Sequence, residues 1–228
     1  HVLSIVWPTL SIDFYTTMAD VMKAQAEAEG WQVDVVSYDF NSATQVTQLE
    51  NCETMGATDI ITCALDPDAI DQAATLLQRA RQVFCFGQGG SSLLASDIWA
   101  RFATISTKFH TSGDSHMQAI AASLMGPEDV VLFVSYSGAT RDMMDTLRLA
   151  KDNGAKVILL THYDDAPGTA LADVVLLCGA KESPLDSGSM PVKLAVLFVA
   201  NVLVLRYTLD NQELVSLSRE RTTKALGN

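Results

Sequence analysis

Short runs of apolar, β-prone residues alternate with helical patterns along the whole chain. The run at residues 2–7 is followed by apolar residues at helical spacing over residues 14–29, and Gly30 and Gly56 stand where the first two helical patterns stop. Strands that are separated by helices need crossover connections, which produce a parallel sheet with helices on both faces. The alternation therefore predicts an α/β fold with three layers, α/β/α.

Eight strands and eight helices follow from this pattern. The predicted strands cover residues 2–7, 31–38, 59–64, 83–86, 108–111, 130–134, 156–161 and 174–178. The predicted helices cover residues 14–29, 43–55, 68–81, 115–124, 190–207 and 212–225, and two more end near residues 102 and 154. In such sheets, ligands bind beyond the carboxyl ends of the strands.

The charge of the chain restricts its partners. Asp and Glu outnumber Lys and Arg by 27 to 15, which gives a net charge of −12, and no run of Lys or Arg is present. This balance argues against broad electrostatic binding to nucleic acid or to an anionic membrane. The longest apolar stretch, residues 194–205, contains Asn201 and is too short to span a bilayer, so it predicts a buried core helix.

The cysteines indicate a reducing compartment. Cys52, Cys63, Cys85 and Cys178 fall in predicted helices or strands, without a C-x-x-C pair or a spacing to histidine that is typical of a metal site. We interpret them as buried free thiols. Because the sequence opens directly on a strand, without a signal-peptide pattern, we expect a cytoplasmic protein. Since no metal-type spacing is present, we expect neither a metal nor a cofactor.

One hydroxyl-rich segment is the strongest functional signal. A buried strand at residues 130–134 ends in Ser135-Tyr136-Ser137-Gly138-Ala139-Thr140, and a helical pattern begins there. The free N–H groups of a helix N-terminus attract anions, and glycine lets the backbone approach a ligand closely. The simple alternative is a helix cap, with Ser137 or Thr140 at the N-cap. Three hydroxyls and a glycine directly after a buried strand favour phosphate binding.

A second glycine-rich turn lies after an earlier strand. Gly87-Gln88-Gly89-Gly90-Ser91-Ser92 is by itself a weak signal, since such turns are often only tight connections. At the same edge of the sheet as the first segment, it predicts the second wall of one pocket.

From about residue 71 to its end, the chain resembles the SIS (sugar isomerase) domain, and most closely the effector domain of RpiR-type regulators that respond to sugar phosphates. The matching segments are residues 86–92, 114–118, 134–140, 150–155 and 172–173. The resemblance implies a five-stranded flavodoxin-like sheet, a dimer or tetramer, and a bound sugar phosphate. It places the phosphate on Ser135, Ser137, Gly138 and Thr140, and the sugar against Gly89, Ser91 and Ser92.

Glu182 is the candidate catalytic residue, if the chain is an enzyme. Isomerases of the resembled superfamily use a carboxylate near the sugar, because aldose–ketose interconversion needs a base within reach of a carbon-bound proton. Regulators of the family keep an acid there to bind a sugar hydroxyl. We therefore predict that Glu182 binds ligand without turnover, with sugar-phosphate isomerisation as the alternative.

Residues 1–70 resemble a different family. Ile12-Asp13-Phe14-Tyr15 and the segments 56–61 and 66–70 are similar to the first βαβαβ half-lobe of a periplasmic-binding-protein-like sugar-binding domain. We expect two domains, residues 1–70 and 71–228. The helix-turn-helix domain of RpiR-type regulators is not visible, so we expect no DNA binding by this chain alone.

The junction of two resemblances suggests a recombined or engineered chimera, with a natural fusion or a diverged family member as the alternative. A fold-recombination scaffold without retained activity is then a third functional possibility, beside the binding domain and the isomerase. An uncovered βαβαβ edge is also an association hazard, so we expect a homo-oligomer.

Overall fold

The structure, a computed structural model, describes residues 1–62, 66–178 and 190–227. It divides into two compact units, His1–Asp68 and Ala69–Asn228, which we call the N-terminal and the C-terminal unit. Each unit contains a sheet of parallel strands connected through helices. The α/β class that the alternating pattern predicts is therefore confirmed.

The bounds of the elements are as follows. The strands are β1 Val2–Trp7, β2 Gln32–Ser37, β3 Asp59–Thr62, β4 Gln82–Gly87, β5 Phe109–Ser112, β6 Asp129–Val134, β7 Lys156–Thr161 and β8 Val174–Leu177. The helices are α1 Asp13–Ala28, α2 Ser42–Thr54, α3 Pro67–Arg79, α4 Gly90–Ala103, α5 Ser115–Ser123, α6 Arg141–Asp152, α7 Met190–Asp210 and α8 Gln212–Ala225.

The N-terminal unit has three parallel strands in the order β2-β1-β3. Alternate residues of β1 point to opposite faces, as strand geometry requires. Ile5 and Trp7 pack in a cluster with Ala19 of α1. Val6 packs in another cluster with Cys52 of α2. The two helices therefore cover opposite faces of the sheet.

The C-terminal unit has five parallel strands in the order β5-β4-β6-β7-β8. This is the flavodoxin-like order, in which the chain reverses direction across the sheet between the first and third strands of the unit. One face packs against α5 and α6 through a buried cluster that includes Phe86, Phe133, Val157 and Leu147. The three-layer arrangement thus has its core on both sides of β4, β6 and β7.

Helix α7 packs on the other face. Tyr207 is buried and meets the stacked rings of Phe102 and Phe109 edge-on. By length and composition alone, Val192–Asp210 is long and apolar enough to cross a membrane, and 39% of that window is buried inside the fold. Such a window is also typical of a core helix, and Arg101 donates a hydrogen bond to Asn201 within it.

A few details differ from the sequence expectations. Of the predicted strand 59–64, the structure describes Asp59–Thr62 as β3, and residues 63–65, with Cys63, lie outside the described residues. β8 ends at Leu177, one residue before Cys178. Between β7 and β8 lies a 3₁₀ helix, Pro167–Leu171, which the sequence pattern did not predict. The ring of Pro167 fixes the φ angle of its first residue.

The described cysteines are buried thiols without disulfides: Cys52, Cys85 and Cys178. Burial raises the pKa of Cys85 and of Cys178 to about 12, because an apolar environment disfavours the thiolate. We therefore expect both thiols to be unreactive in the folded protein.

Candidate functional site

The strand order of the C-terminal unit brings the two glycine-containing loops together. β4 and β6 are neighbours in the sheet, and the chain leaves them in opposite directions, which creates a crevice at their carboxyl ends. The loops that begin there, together with the first turn of α4, carry all the described candidate residues. A hydrogen bond joins the loops, because the Thr140 hydroxyl donates to Gln88 Oε1 at 3.2 Å.

Buried residues hold the loop after β6 in a tight conformation. Ser135 is buried, and its Oγ accepts a hydrogen bond from the Gly138 N–H at 3.2 Å. Gly138 has a φ of +59°, and a Cβ there would lie 2.6 Å from the Cβ of Ala166 and 2.8 Å from Thr161 Oγ1. Ser135 and Gly138 therefore shape the loop, and the Ser135 hydroxyl, which accepts this bond, keeps its own proton for a further hydrogen bond.

The exposed side of this loop leaves donors available. Thr140 stands at the N-cap of α6, but its side chain makes no capping hydrogen bond. Ser137 is exposed, and its Oγ accepts a long hydrogen bond of 3.4 Å from the Ala139 N–H. Thr140 thus takes the N-cap position that the alternative gave it, but the first-turn N–H groups of α6 have no side-chain cap. The loop forms a cup of N–H and O–H donors.

The loop after β4 has a similar design. Gly89 is the N-cap of α4, with a φ of +54° and no side-chain cap. The Ser92 hydroxyl donates to the Gly89 carbonyl at 2.7 Å, and Ser91 is half-buried. A Cβ at Gly87 would lie 2.5 Å from the Ser91 carbonyl oxygen, so only glycine lets the first turn of α4 lie this close to the end of β4.

Two glutamines that the sequence interpretation did not assign to the site support it. Gln118 is fully buried, and its Nε2 donates to the carbonyls of Gly87 at 2.9 Å and Ser112 at 2.7 Å. Gln88 accepts from Thr140, while its buried Nε2 has no hydrogen-bond partner among the described residues. The position of Gln88 between two glycines directly after a strand is the sequence signal that could have identified it.

An aromatic group lies beside the loop after β6. The His162 ring stacks on Tyr136 with centroids 5.0 Å apart and an interplanar angle of 5°. Tyr163 meets both rings edge-on. The backbone N–H of His162 also donates to the Tyr136 carbonyl at 3.1 Å. This hydrogen bond joins the carboxyl end of β7 to the loop after β6.

Two histidines and an arginine of the C-terminal unit lie outside the cup, and one candidate residue lies outside the described residues. His110 packs on Phe84 within the sheet, and His116 is exposed in the first turn of α5, which Asp114 caps. The Arg141 side chain is 93% exposed. Glu182 lies outside the described residues. Among the residues that the structure describes, no cluster of His, Cys, Asp or Glu is suited to a metal ion.

The fold and the two loops define a flavodoxin-like α/β domain with two neighbouring helix N-termini at one crevice, and a family comparison identifies the domain. The model of the SIS domain matches residues 76–206. This match covers more than half of the chain, so the chain belongs to the SIS domain family.

The curated relatives are transcription regulators. The chain is 29% identical to the HTH-type transcriptional regulator RpiR of Escherichia coli K12 over 210 residues, which cover 92% of this chain and 67% of the relative. It is 30% identical to an HTH-type transcriptional regulator of Haemophilus influenzae over 162 residues, which cover 71% of this chain and 56% of the relative. The chain thus spans between about half and two thirds of the length of these relatives.

Solved structures share the fold. NanR of Vibrio vulnificus, complexed with ManNAc-6P, has a TM-score of 0.68 at 24% identity, and the match covers 79% of this chain and 65% of that one. The sugar isomerase domain of RpiR from Sphaerobacter thermophilus has a TM-score of 0.64 at 20% identity, with coverages of 78% and 95%. A putative sugar-phosphate isomerase of Listeria monocytogenes has a TM-score of 0.57 at 15% identity, with coverages of 67% and 83%.

Proposed function

We propose that the C-terminal unit binds a phosphorylated sugar without turnover, as the effector domain of an RpiR-type regulator. The single observation that carries the proposal is the pair of helix N-termini without side-chain caps, α4 and α6, whose loops are joined by the bond from Thr140 to Gln88. Helix N-termini attract phosphate through their N–H groups and their dipole. Two such ends at one crevice suit a ligand with an anionic end and several hydroxyls.

The cup residues divide into donors and shaping residues. Ser137 donates a hydrogen bond to the phosphate, and Thr140 does so in exchange for its bond to Gln88, while Ser135 and Gly138 hold the loop in the receptive shape. Gly89, Ser91 and Ser92 face the sugar. In this proposal the backbone N–H groups and the hydroxyls of the two loops supply the attraction. Dipoles on a rigid loop need no reorganisation when the anion arrives.

The relatives support the regulatory side of the proposal. Those reported above are named transcription regulators, and the structural neighbour from Vibrio vulnificus is complexed with ManNAc-6P. A cytoplasmic location follows for a protein that responds to a phosphorylated metabolite. The acidity of residues 1–228 makes DNA binding by these residues alone unfavourable.

A ligand screen tests the proposal. Thermal shift and calorimetry with sugar phosphates, the matching free sugars and inorganic phosphate should give a response only with phosphorylated sugars. In the double variant Ser137→Ala/Thr140→Ala, loss of two hydrogen bonds to a charged group should weaken binding by at least about a hundredfold. The matched control Ser123→Ala/Thr222→Ala removes two hydroxyls far from the cup and should bind as the wild type does. Equal responses to free and phosphorylated sugars would contradict the proposal.

The same protein preparations separate binding from catalysis. Incubation with each bound sugar phosphate, followed by analysis for the ketose or aldose isomer, should show no turnover. If isomer does form, and if Glu182→Gln abolishes it while binding persists, the chain is an isomerase with Glu182 as its base.

A further inference from the structure

The negative charge of the chain is concentrated in its N-terminal unit. Residues 1–68 contain eleven Asp and Glu residues and one basic residue, Lys23, which accounts for −10 of the total net charge of −12. The remaining residues are nearly neutral. A surface with this charge attracts cationic partners at long range.

A groove with a volume of about 410 Å³ lies between α2 and β3 on this unit. Val46, Leu49, Glu50 and Glu53 line it from α2 at the spacing i, i+3, i+4, i+7, which places them on one face of the helix. Ile60 of β3 and Ala57 line the other side. The groove therefore has an apolar floor with carboxylates along one wall.

Within the described part of the N-terminal unit, no helix covers this groove. α2 packs over Val6 and Val36 of β1 and β2, and within the described residues β3 pairs only with β1. Val46 is left 56% exposed and Ile60 40% exposed. α2 therefore leaves apolar side chains exposed beside the edge strand β3, and an exposed apolar groove of this kind marks an interaction surface.

We propose that the groove between α2 and β3 is a docking site for a basic amphipathic helix of a partner protein. The apolar side of such a helix covers Val46, Leu49 and Ile60. Its Lys or Arg side chains pair with Glu50 and Glu53, which are exposed and form no ion pair among the described residues. This arrangement is the helix-in-groove mode of recognition.

Charge argues against a second copy of this chain as the occupant. A symmetric dimer places the same patch of each copy against the other. Glu50 and Glu53 would then face the same two carboxylates, and like charges across an interface are costly. A cationic helix meets no such repulsion.

Synthetic helices test the proposal on the full chain. The probe is a fluorescently labelled peptide of about 18 residues, long enough to be helical, with Leu at positions i, i+3, i+4 and i+7 and Lys along the flanks. It should bind, as measured by anisotropy, and binding should weaken as salt rises. A peptide with Glu in place of each Lys should not bind.

Two pairs of variants locate the site. Glu50→Lys/Glu53→Lys should weaken binding of the basic peptide by at least about tenfold and should allow the Glu peptide to bind. The matched control Asp20→Lys/Glu29→Lys changes the net charge equally on exposed positions elsewhere in the unit and should have less than about a third of that effect. Val46→Asp should also abolish binding, whereas Val21→Asp, at an exposed valine of α1, should not.

Three outcomes overturn the proposal: no binding to the wild type, equal losses in the groove variants and their controls, or self-association that the groove variants abolish. A loss of sugar-phosphate binding in the Ser137→Ala/Thr140→Ala variant has no bearing on it, because those residues belong to the other unit.

Discussion

At the scale of single residues, the candidate site depends on groups whose roles differ although their types are alike. Ser135 is buried and accepts a hydrogen bond from the Gly138 N–H, whereas Ser137 and Thr140 are exposed. Three hydroxyls in one motif thus divide into one that shapes the loop and two that face outward. Gln88 belongs to this group because it accepts a hydrogen bond from Thr140 across the crevice. A glutamine by itself would not indicate a phosphate site.

Substitution of Gln88 tests whether it takes part in ligand binding. Gln88→Met keeps the length of the side chain but removes both hydrogen-bonding atoms, so it should weaken sugar-phosphate binding by about 2–12-fold, the worth of one hydrogen bond. Gln88→Glu places a carboxylate beside the phosphate and should weaken binding further. Titration calorimetry measures both. The control Gln212→Met, on an exposed residue of α8, should have no effect, and unchanged affinity in Gln88→Glu would exclude Gln88 from the site.

At the scale of elements, one carboxylate joins three neighbouring segments of the C-terminal unit. Asp173, just before β8, accepts hydrogen bonds from the Val157 N–H of β7, from Lys151 of α6 and from Lys156. Burial would raise the pKa of Asp173, but the hydrogen bonds from Lys151, Val157 and Lys156 outweigh it and hold the pKa below its ordinary value of 3.8. The ionised form is therefore the stabilising one.

The pH dependence of stability follows from the sign of this shift. A carboxyl group whose pKa is lower in the folded state stabilises the fold fully above its unfolded pKa, and this contribution is lost as the pH falls through the folded pKa. Asp173→Asn should thus lower the free energy of unfolding by about 1–3 kcal/mol at neutral pH, and the difference should shrink below about pH 4. Urea unfolding at several pH values measures it. Asp152→Asn, on an exposed position of α6, is the control, and a pH-independent difference would contradict the assignment.

At the scale of the whole chain, two units with separate sheets and different charges are joined in one polypeptide. The C-terminal unit belongs to the SIS domain family and carries the proposed phosphosugar site. The N-terminal unit carries nearly all of the net charge and the groove proposed as a docking site. We interpret the chain as combining ligand recognition in one unit with partner recognition in the other.

The oligomeric state is the remaining prediction at this scale. Exposed apolar side chains on α4 and α5 and just after α5, among them Leu93, Met117, Ile120 and Leu124, favour association through the C-terminal unit. Light scattering should give at least twice the mass of one chain, and Val46→Asp should leave that mass unchanged. A monomer at every concentration tested would refute the prediction.

The sequence by itself determined the class of fold and indicated where the candidate site lies. Apolar periodicity is a local property, so it predicted the strands, the helices and the parallel sheets, and the hydroxyl cluster at residues 135–140 indicated an anion cup without any knowledge of contacts. Only the tertiary structure decided which hydroxyls face outward and that Gln88 meets Thr140. Only the structure, too, revealed that Gly138 packs against Thr161 and Ala166 and that a groove lies open between α2 and β3. These features join residues that are far apart in the chain, and their proximity depends on strand order and packing rather than on local pattern.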